Sequence, residues 1–484
     1  MRKYVYNTKK FMRNFDMEKN WDIVVVGAGP GGYVAAIRGA QLGKKVLLVE
    51  KDKIGGVCMN WGCIPTKFLL HQTREFKTVL TNKNISGSLE KVSLDWVKVQ
   101  AEKEKVVERL VDGIEFLLKK NRVEIVKGTA SVTSEKKIKV LSDNNEVSIE
   151  AENIILATGS RPAYLPFLMP DAEIVLTSRD ALELKEIPRK LLIVGAGAIG
   201  LEMGLIFLRM GSEVEIIEIL PQLLPGIDRD IALRIERSLK SLGMKINTRM
   251  SINNSSIKAK KIRVAGNNLK TEQDFELEAD KLLLAAGRKP NSEELIKDCR
   301  GLQSDNGGFI RVNERLETGI PGIYAIGDLV GGKLLAHKAS HEGIVAAENA
   351  AGLDKRISYK ALPFAVFIEP EFASVGLNKT EAKEKMIEFK TGMFSLQASG
   401  RALTMGAQEG IVQVIADNED RLIGANILAP NAGELISELT LAIHSGLKLQ
   451  DVGGSIHIHP TLSESVMEAA LRANNQAIHT LNDA

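Results

Sequence analysis

The sequence predicts an α/β protein with two nucleotide-binding units and a smaller α+β region at its C-terminal end. Three observations carry this reading. A strand, a glycine-punctuated turn, a helix and a second strand occur twice, at 22–50 and 191–218. In both copies the first glycine and the strand-ending glutamate are 23 positions apart, Gly27 to Glu50 and Gly195 to Glu218. After about residue 360 the glycine turns stop, and strand-like stretches at 411–416 and 422–428 lead into a helical region from 431.

Taken in order, DIVVVG at 22–27 is a short apolar run ending in glycines, 33–42 has helical apolar spacing, and VLLVE at 46–50 is a second buried strand. A glycine-rich loop, GGVCMNWGCIPTK at 55–67, precedes a helix expected over 64–72. Residues 99–121 pair a charge run with apolar residues at helical spacing, an amphipathic helix with a solvated face. The second unit repeats the first: LLIVG at 191–195, a helix through about Met210, and VEIIE at 214–218. Each unit has a later strand ending in a small-residue turn, IILATG at 154–159 and LLLAAG at 282–287.

Composition narrows the function. The 484 residues carry 64 Lys+Arg against 61 Asp+Glu, and a net charge of +3 leaves no electrostatic footprint for nucleic acid. Three cysteines cannot build a disulfide scaffold. The most apolar stretch, 23–37, is short and broken by glycines and Pro30, so no membrane span is expected. The first 20 residues form an N-terminal extension with six Lys and Arg and no apolar h-region, which argues against a secretory signal. A transit peptide there would be atypical, and Met17 is a possible start.

Gly27, Gly29 and Gly32 form GxGxxG directly after a strand and before a helix. These glycines permit a tight turn and a close approach of backbone to a pyrophosphate at the positive helix end, with Glu50 placed for ribose hydroxyls. Gly195, Gly197 and Gly200 repeat the pattern with Glu218, and no Lys or Arg occurs from there to Gly226. A carboxylate repels a 2′-phosphate, so NAD is expected over NADP. Cys58 and Cys63 are spaced CxxxxC. Zinc would need four ligands, and Cys299 stands alone. Two unreactive buried thiols is the plainer alternative. A glycine-rich loop before a helix, whose dipole lowers a thiol pKa, favours a redox-active pair.

With GGxCxNxGCxPxK lying between two dinucleotide fingerprints, the chain resembles the pyridine nucleotide-disulfide oxidoreductase family over nearly all of 20–475. ATGSRP at 157–162, AAGRKPN at 285–291, PGIYAIGD at 321–328, PEFASVGL at 370–377 and HPTLSE at 459–464 match in order. The resemblance implies two Rossmann-like domains, the first for FAD (one per chain, residues 21–160 and 289–358) and the second for NAD (161–288). It also implies an interface domain at 359–484 that makes a homodimer whose active site draws on both subunits.

The same resemblance assigns roles. Cys58 and Cys63 form a redox disulfide, with Cys58 meeting the substrate and Cys63 nearer the flavin. Lys67 lies beside the flavin, paired with Glu202. Thr158, Gly159, Gly287, Asp328 and Ala336 join the cofactor-binding set, with Asp328 on the ribityl chain. His459 is the base, oriented by Glu464. His457 lies two positions before it, and on a strand the two would share a face. His337 and His341 are expected to be structural or near the flavin, and Cys299 non-catalytic.

LAHKA at 335–339, SGRAL at 399–403 and NAGELI at 431–436 most resemble members that reoxidise dihydrolipoyl groups. The implied partners are lipoyl-bearing acyltransferase subunits of 2-oxo acid dehydrogenase complexes or the glycine cleavage system, in the cytoplasm or, in a eukaryote, the mitochondrial matrix. A glutathione-reductase-like enzyme is the alternative, although its preference for NADPH disagrees with Glu218. A mercuric reductase would have a further C-terminal cysteine pair, and a non-catalytic flavoprotein would have little need for Cys58, Cys63, His459 and Glu464 together. The chain departs from the family pattern at Trp61, Thr66, Glu369 and Ser399.

Overall fold

The computed structural model describes residues 21–134, 137–142, 145–299 and 301–482, so the readings made on the first 20 residues lie outside the described residues. The chain divides into two compact units. One comprises the segments up to Leu69, Leu94–Ala163 and Gly287–Ser358; the other comprises Leu70–Ser93, Tyr164–Ala286 and the chain from Tyr359 onward.

In the first unit, strand Trp21–Val26 pairs in parallel with Val46–Glu50 on one side and with the end of Asn145–Leu156 on the other. Glu124–Lys127 and Ile323–Ala325 extend this parallel sheet at its two sides. Both faces of this sheet are covered, which is why the strands are apolar at nearly every position rather than at alternate ones. Ile23, Val25, Leu48 and Ile155 pack with Ala35 and Ala36 of helix Pro30–Gln41, while Val24, Val26, Leu47 and Ile154 fill the core on the opposite face. The amphipathic helix runs over Trp96–Lys120, three residues earlier than its charge run suggests. Asp95 caps it by accepting the Lys98 N–H at 3.0 Å.

The second unit contains the repeat. Strands Lys245–Thr248, Glu213–Glu218, Lys190–Val194, Lys281–Leu284 and Val175–Leu176 form a five-stranded parallel sheet in that order, beside a three-stranded antiparallel sheet. Residues from Phe364 onward build a five-stranded antiparallel sheet in which Leu422–Ala429 is central. Helices Ala432–Ser445 and Glu464–Arg472 pack on it through Leu439, Ile443, Val466 and Ala469, giving the α+β region.

Candidate active site

Each fingerprint folds for a reason that can be read atom by atom. Gly27 has φ +100°, and a Cβ there would meet the Ala157 carbonyl oxygen at 2.4 Å; a Cβ on Gly32 would meet the Gly27 oxygen at 1.8 Å. Gly195, at φ +109°, and Gly200 repeat this against Ala285 and Gly195. The middle glycines differ in kind. A Cβ on Gly29 or Gly197 would meet no atom within 4 Å beyond its chain neighbours, so both turns leave open space beside the backbone. Both cap helix N-termini, of Pro30–Gln41 and Ala198–Arg209, where free backbone N–H groups and the helix dipole favour an anion. These two cradles fit the pyrophosphates of two dinucleotides.

The strand-ending glutamates complete the repeat. Glu50 Oε2 accepts the Ala28 N–H at 2.6 Å and Oε1 the Asp52 N–H at 2.8 Å. Glu218 does the same with Ala196, 2.7 Å, and Leu220, 2.8 Å. The carboxylates thus brace their turns, and each oxygen keeps lone-pair capacity for a further donor.

Around the AIGD turn, Ser160 Oγ donates to Asp328 Oδ2 at 2.5 Å, and Arg288 Nε donates to Ser160 Oγ at 2.7 Å. Burial pulls the Arg288 guanidinium down, while Asp328 and Cys63 push it back up. Beneath the turn, fully buried Glu342 accepts the Gly327 N–H at 2.7 Å and pairs with Lys338 at 2.8 Å. Arg288, Ser160, Lys338 and Glu342 were not expected as site residues. Ser160, Arg288 and Lys338 sit inside the quoted ATGSRP, AAGRKPN and LAHKA segments, but Glu342 carries no local signal. Thr158 and Asn291 exchange side-chain to backbone hydrogen bonds at 2.9 and 2.8 Å, Gly159 and Gly287 adopt φ of +68° and +109°, and Ala336 begins helix Ala336–Ala350.

Cys58 lies in the short helix Gly56–Trp61 and Cys63 starts helix Cys63–Thr81, longer than the expected 64–72. The Asn60 amide ties the loop by donating to Ile54 and Gly56 carbonyls, both at 2.9 Å. Both cysteines are thiols, half-buried. The expected depression of thiol pKa is not found at Cys58. Its hydrogen bond to Cys63 comes first and its burial second in holding the proton on, against smaller opposing pulls from the Cys63 N–H and Lys67. Lys67 is in the first turn or so of the helix begun by Cys63. Buried Glu202 accepts the Phe367 N–H at 3.0 Å through Oε1.

His459 Nδ1 lies 2.9 Å from Glu464 Oε1, and Glu464 Oε2 accepts the Thr461 N–H at 2.8 Å. Desolvation raises the Glu464 pKa, but Thr461 and His459 outweigh it and hold the carboxyl below its ordinary range. The His459 side chain is 79% exposed. The expectation that His457 shares its face fails because residues 456–459 are not in a strand: the His457 side chain turns inward to Glu438 and is 7% exposed. The departures find local partners. Thr66 donates to the Gly62 carbonyl at 2.6 Å, Glu369 pairs with Arg209 at 2.6 Å, and Ser399 accepts the Ala402 N–H at 3.3 Å. The geometry does not account for Trp61.

Two dinucleotide cradles, a dithiol on a glycine-rich loop and a carboxylate-oriented histidine define a nucleotide-linked disulfide oxidoreductase. The chain belongs to the pyridine nucleotide-disulphide oxidoreductase family, matched over residues 21–343, with that family's dimerisation domain at 362–470. Membership makes it an oxidoreductase working with FAD and NAD. It is similar to the dihydrolipoyl dehydrogenase of Thermus scotoductus, at 45% identity over 96% of this chain and 100% of that one. The dihydrolipoyl dehydrogenase of Bacillus subtilis is 41% identical over 95% and 97%. Among solved structures, LpdA from Mycobacterium tuberculosis superposes with TM-score 0.85 at 26% identity, covering 93% of this chain and 99% of that one. The HOCl-induced flavoprotein disulfide reductase RclA from Escherichia coli gives TM-score 0.80 at 27% identity, with the same two coverages. No described helix is long and apolar enough to cross a membrane.

Proposed function

We propose that this chain is a dihydrolipoyl dehydrogenase that oxidises protein-bound dihydrolipoyl groups through a Cys58–Cys63 disulfide and reduces NAD. The observation that carries the reading is the pairing of the Cys58–Cys63 dithiol with the exposed His459–Glu464 dyad in one chain. His459 takes the proton from a substrate thiol at Nε2, since Nδ1 is engaged by Glu464, which fixes the tautomer and stabilises the cation. The substrate thiolate attacks Cys58 Sγ, breaking the Cys58–Cys63 bond and leaving the electron pair on Cys63. The second substrate thiolate displaces Cys58, so the substrate leaves as its disulfide and the protein holds two thiols. Bound FAD supplies the two-electron exchange between this dithiol and the nicotinamide.

The Gly27, Gly29 and Gly32 turn, with Glu50, Asp328, Thr158, Gly159, Gly287, Ala336 and Lys67, would hold the flavin. Gly195, Gly197, Gly200 and Glu218 would hold NAD, and Glu202 is assigned as the partner of Lys67. We assign 21–160 and 289–358 to the FAD domain, 161–288 to the NAD domain and 359–484 to the interface. The shared-site homodimer is supported by the dimerisation-domain match and by the exposure of Ile456, Ile458 and His459 on one loop of the unit. Lipoyl-bearing acyltransferase subunits are the assigned partners and the cytoplasm the assigned compartment. Steady-state assay of dihydrolipoamide, glutathione disulfide and Hg(II) with NAD(H) and NADP(H) tests the reading: dihydrolipoamide with NAD should dominate, and preference for glutathione disulfide with NADPH would replace it.

A further inference from the structure

The loop that presents His459 runs from Gly454 to Ser463 without helix or strand, so side chains must do what ladder hydrogen bonds do elsewhere. Ser455 Oγ donates to the Asp451 carbonyl at 2.6 Å, and Thr461 Oγ1 donates to the Ile458 carbonyl at 2.7 Å. Between them Ile456 and Ile458 are 102% and 77% exposed, and the His459 side chain points outward as well. His457 alone among residues 456–459 turns in. Its Nδ1 is 2.9 Å from the Ser455 carbonyl oxygen and its Nε2 is 2.9 Å from Glu438 Oε1.

We propose that His457 and Glu438 form a clamp that positions the loop carrying His459. This rests on the reading of His459 as the base. The ring is thus held from both of its nitrogens, one against the loop's own backbone and one against a carboxylate on a neighbouring helix. A hydrogen bond donated to a carboxylate is charge-assisted, and such bonds are roughly twice as strong as neutral ones. Glu438 is a rigid anchor because its helix, Ala432–Ser445, is fixed in the core by Ile436, Leu439, Ala442 and Ile443. His457 touches no reacting group in this account. It acts by holding His459 where its free nitrogen meets the substrate, and a displacement of order 1 Å at such a group costs about 100-fold in rate.

The test compares the wild-type holoenzyme with His457→Phe, Glu438→Leu, the double variant, and the conservative His457→Gln and Glu438→Gln. His457→Phe and Glu438→Leu should each lower kcat for dihydrolipoamide by about 10- to 100-fold. The double variant should cost no more than either, because both remove one interaction. The glutamines, which keep a hydrogen bond, should recover part of the rate. NADH reduction of ferricyanide, which bypasses the dithiol base, should be unchanged in all five. Amide hydrogen exchange over 455–463 should accelerate in His457→Phe and stay unchanged over 190–218. Dihydrolipoamide turnover within twofold of wild type, equal losses in both reactions, additive losses in the double variant, or unchanged exchange over 455–463 would each overturn the clamp. A wild-type protein that reduces ferricyanide but does not oxidise dihydrolipoamide would overturn the proposed function instead, and the exchange comparison would still decide the clamp.

Discussion

His459 Nδ1 sits 2.9 Å from Glu464 Oε1, which leaves Nε2 as the nitrogen able to meet a substrate. Glu464→Gln would keep the shape and lose the charge that stabilises an imidazolium. Dihydrolipoamide turnover should fall by about 100- to 10,000-fold, while NADH reduction of ferricyanide persists. Because the folded carboxyl is held below its ordinary value of 4.5, its stabilising effect is fully present above that value and lost as pH falls through the lower folded value. Melting temperatures of wild type and Glu464→Gln, followed downward in pH, should therefore differ near neutrality and converge below 4.5.

The middle glycines provide separable tests, since neither Gly29 nor Gly197 has a chain atom near a new Cβ. Gly29→Ala should fold normally and lose flavin on gel filtration. Gly197→Ala should remain yellow and show a raised KM for NAD. Full flavin retention in the first, or an unaltered KM in the second, would detach that cradle from its cofactor.

Much of this was legible because it is local. The 23-residue interval between glycine and glutamate reflects one strand–turn–helix–strand unit, and Glu50 and Glu218 brace their turns in the same way. The Cys58–Cys63 loop is recognisable from its glycines, yet the raised Cys58 pKa is not: the neighbouring Cys63 and burial hold its proton on, whereas the helix dipole alone points the other way. The face that His457 and His459 would share on a strand does not form, because the backbone at 456–459 is irregular. Ser160 and Arg288 lie within sequence motifs but meet Asp328 only in the fold, and Glu342, which binds the Gly327 N–H, has no local pattern at all.

Glu218 should set nucleotide choice. NAD is expected to exceed NADP in kcat/KM by at least about tenfold, roughly 1.4 kcal/mol. Glu218→Ala should narrow this gap, because it removes the negative charge and frees the Ala196 N–H that Glu218 now binds. A ratio unaltered by the substitution would remove Glu218 from this role.

The shared site can be tested by complementation. Cys58→Ser and His459→Ala should each be nearly inactive as homodimers. In a mixed dimer, the intact Cys58 of one chain meets the intact His459 of the other, which restores one site in two. With random pairing of equal amounts, activity should return to roughly a quarter of wild type. Mixed dimers that form and stay inactive would place both groups in one chain's site.

The most direct measurement is anaerobic reaction of the purified protein with dihydrolipoamide, followed by flavin absorbance and then by NADH formation on adding NAD, with Cys58→Ser and Cys63→Ser alongside. The account predicts one NADH per dihydrolipoamide consumed in the wild type and none in either variant. It further predicts that Cys58→Ser retains a long-wavelength thiolate–flavin band and that Cys63→Ser lacks it. Wild-type protein that forms no NADH, or either variant turning over at the wild-type rate, would contradict it.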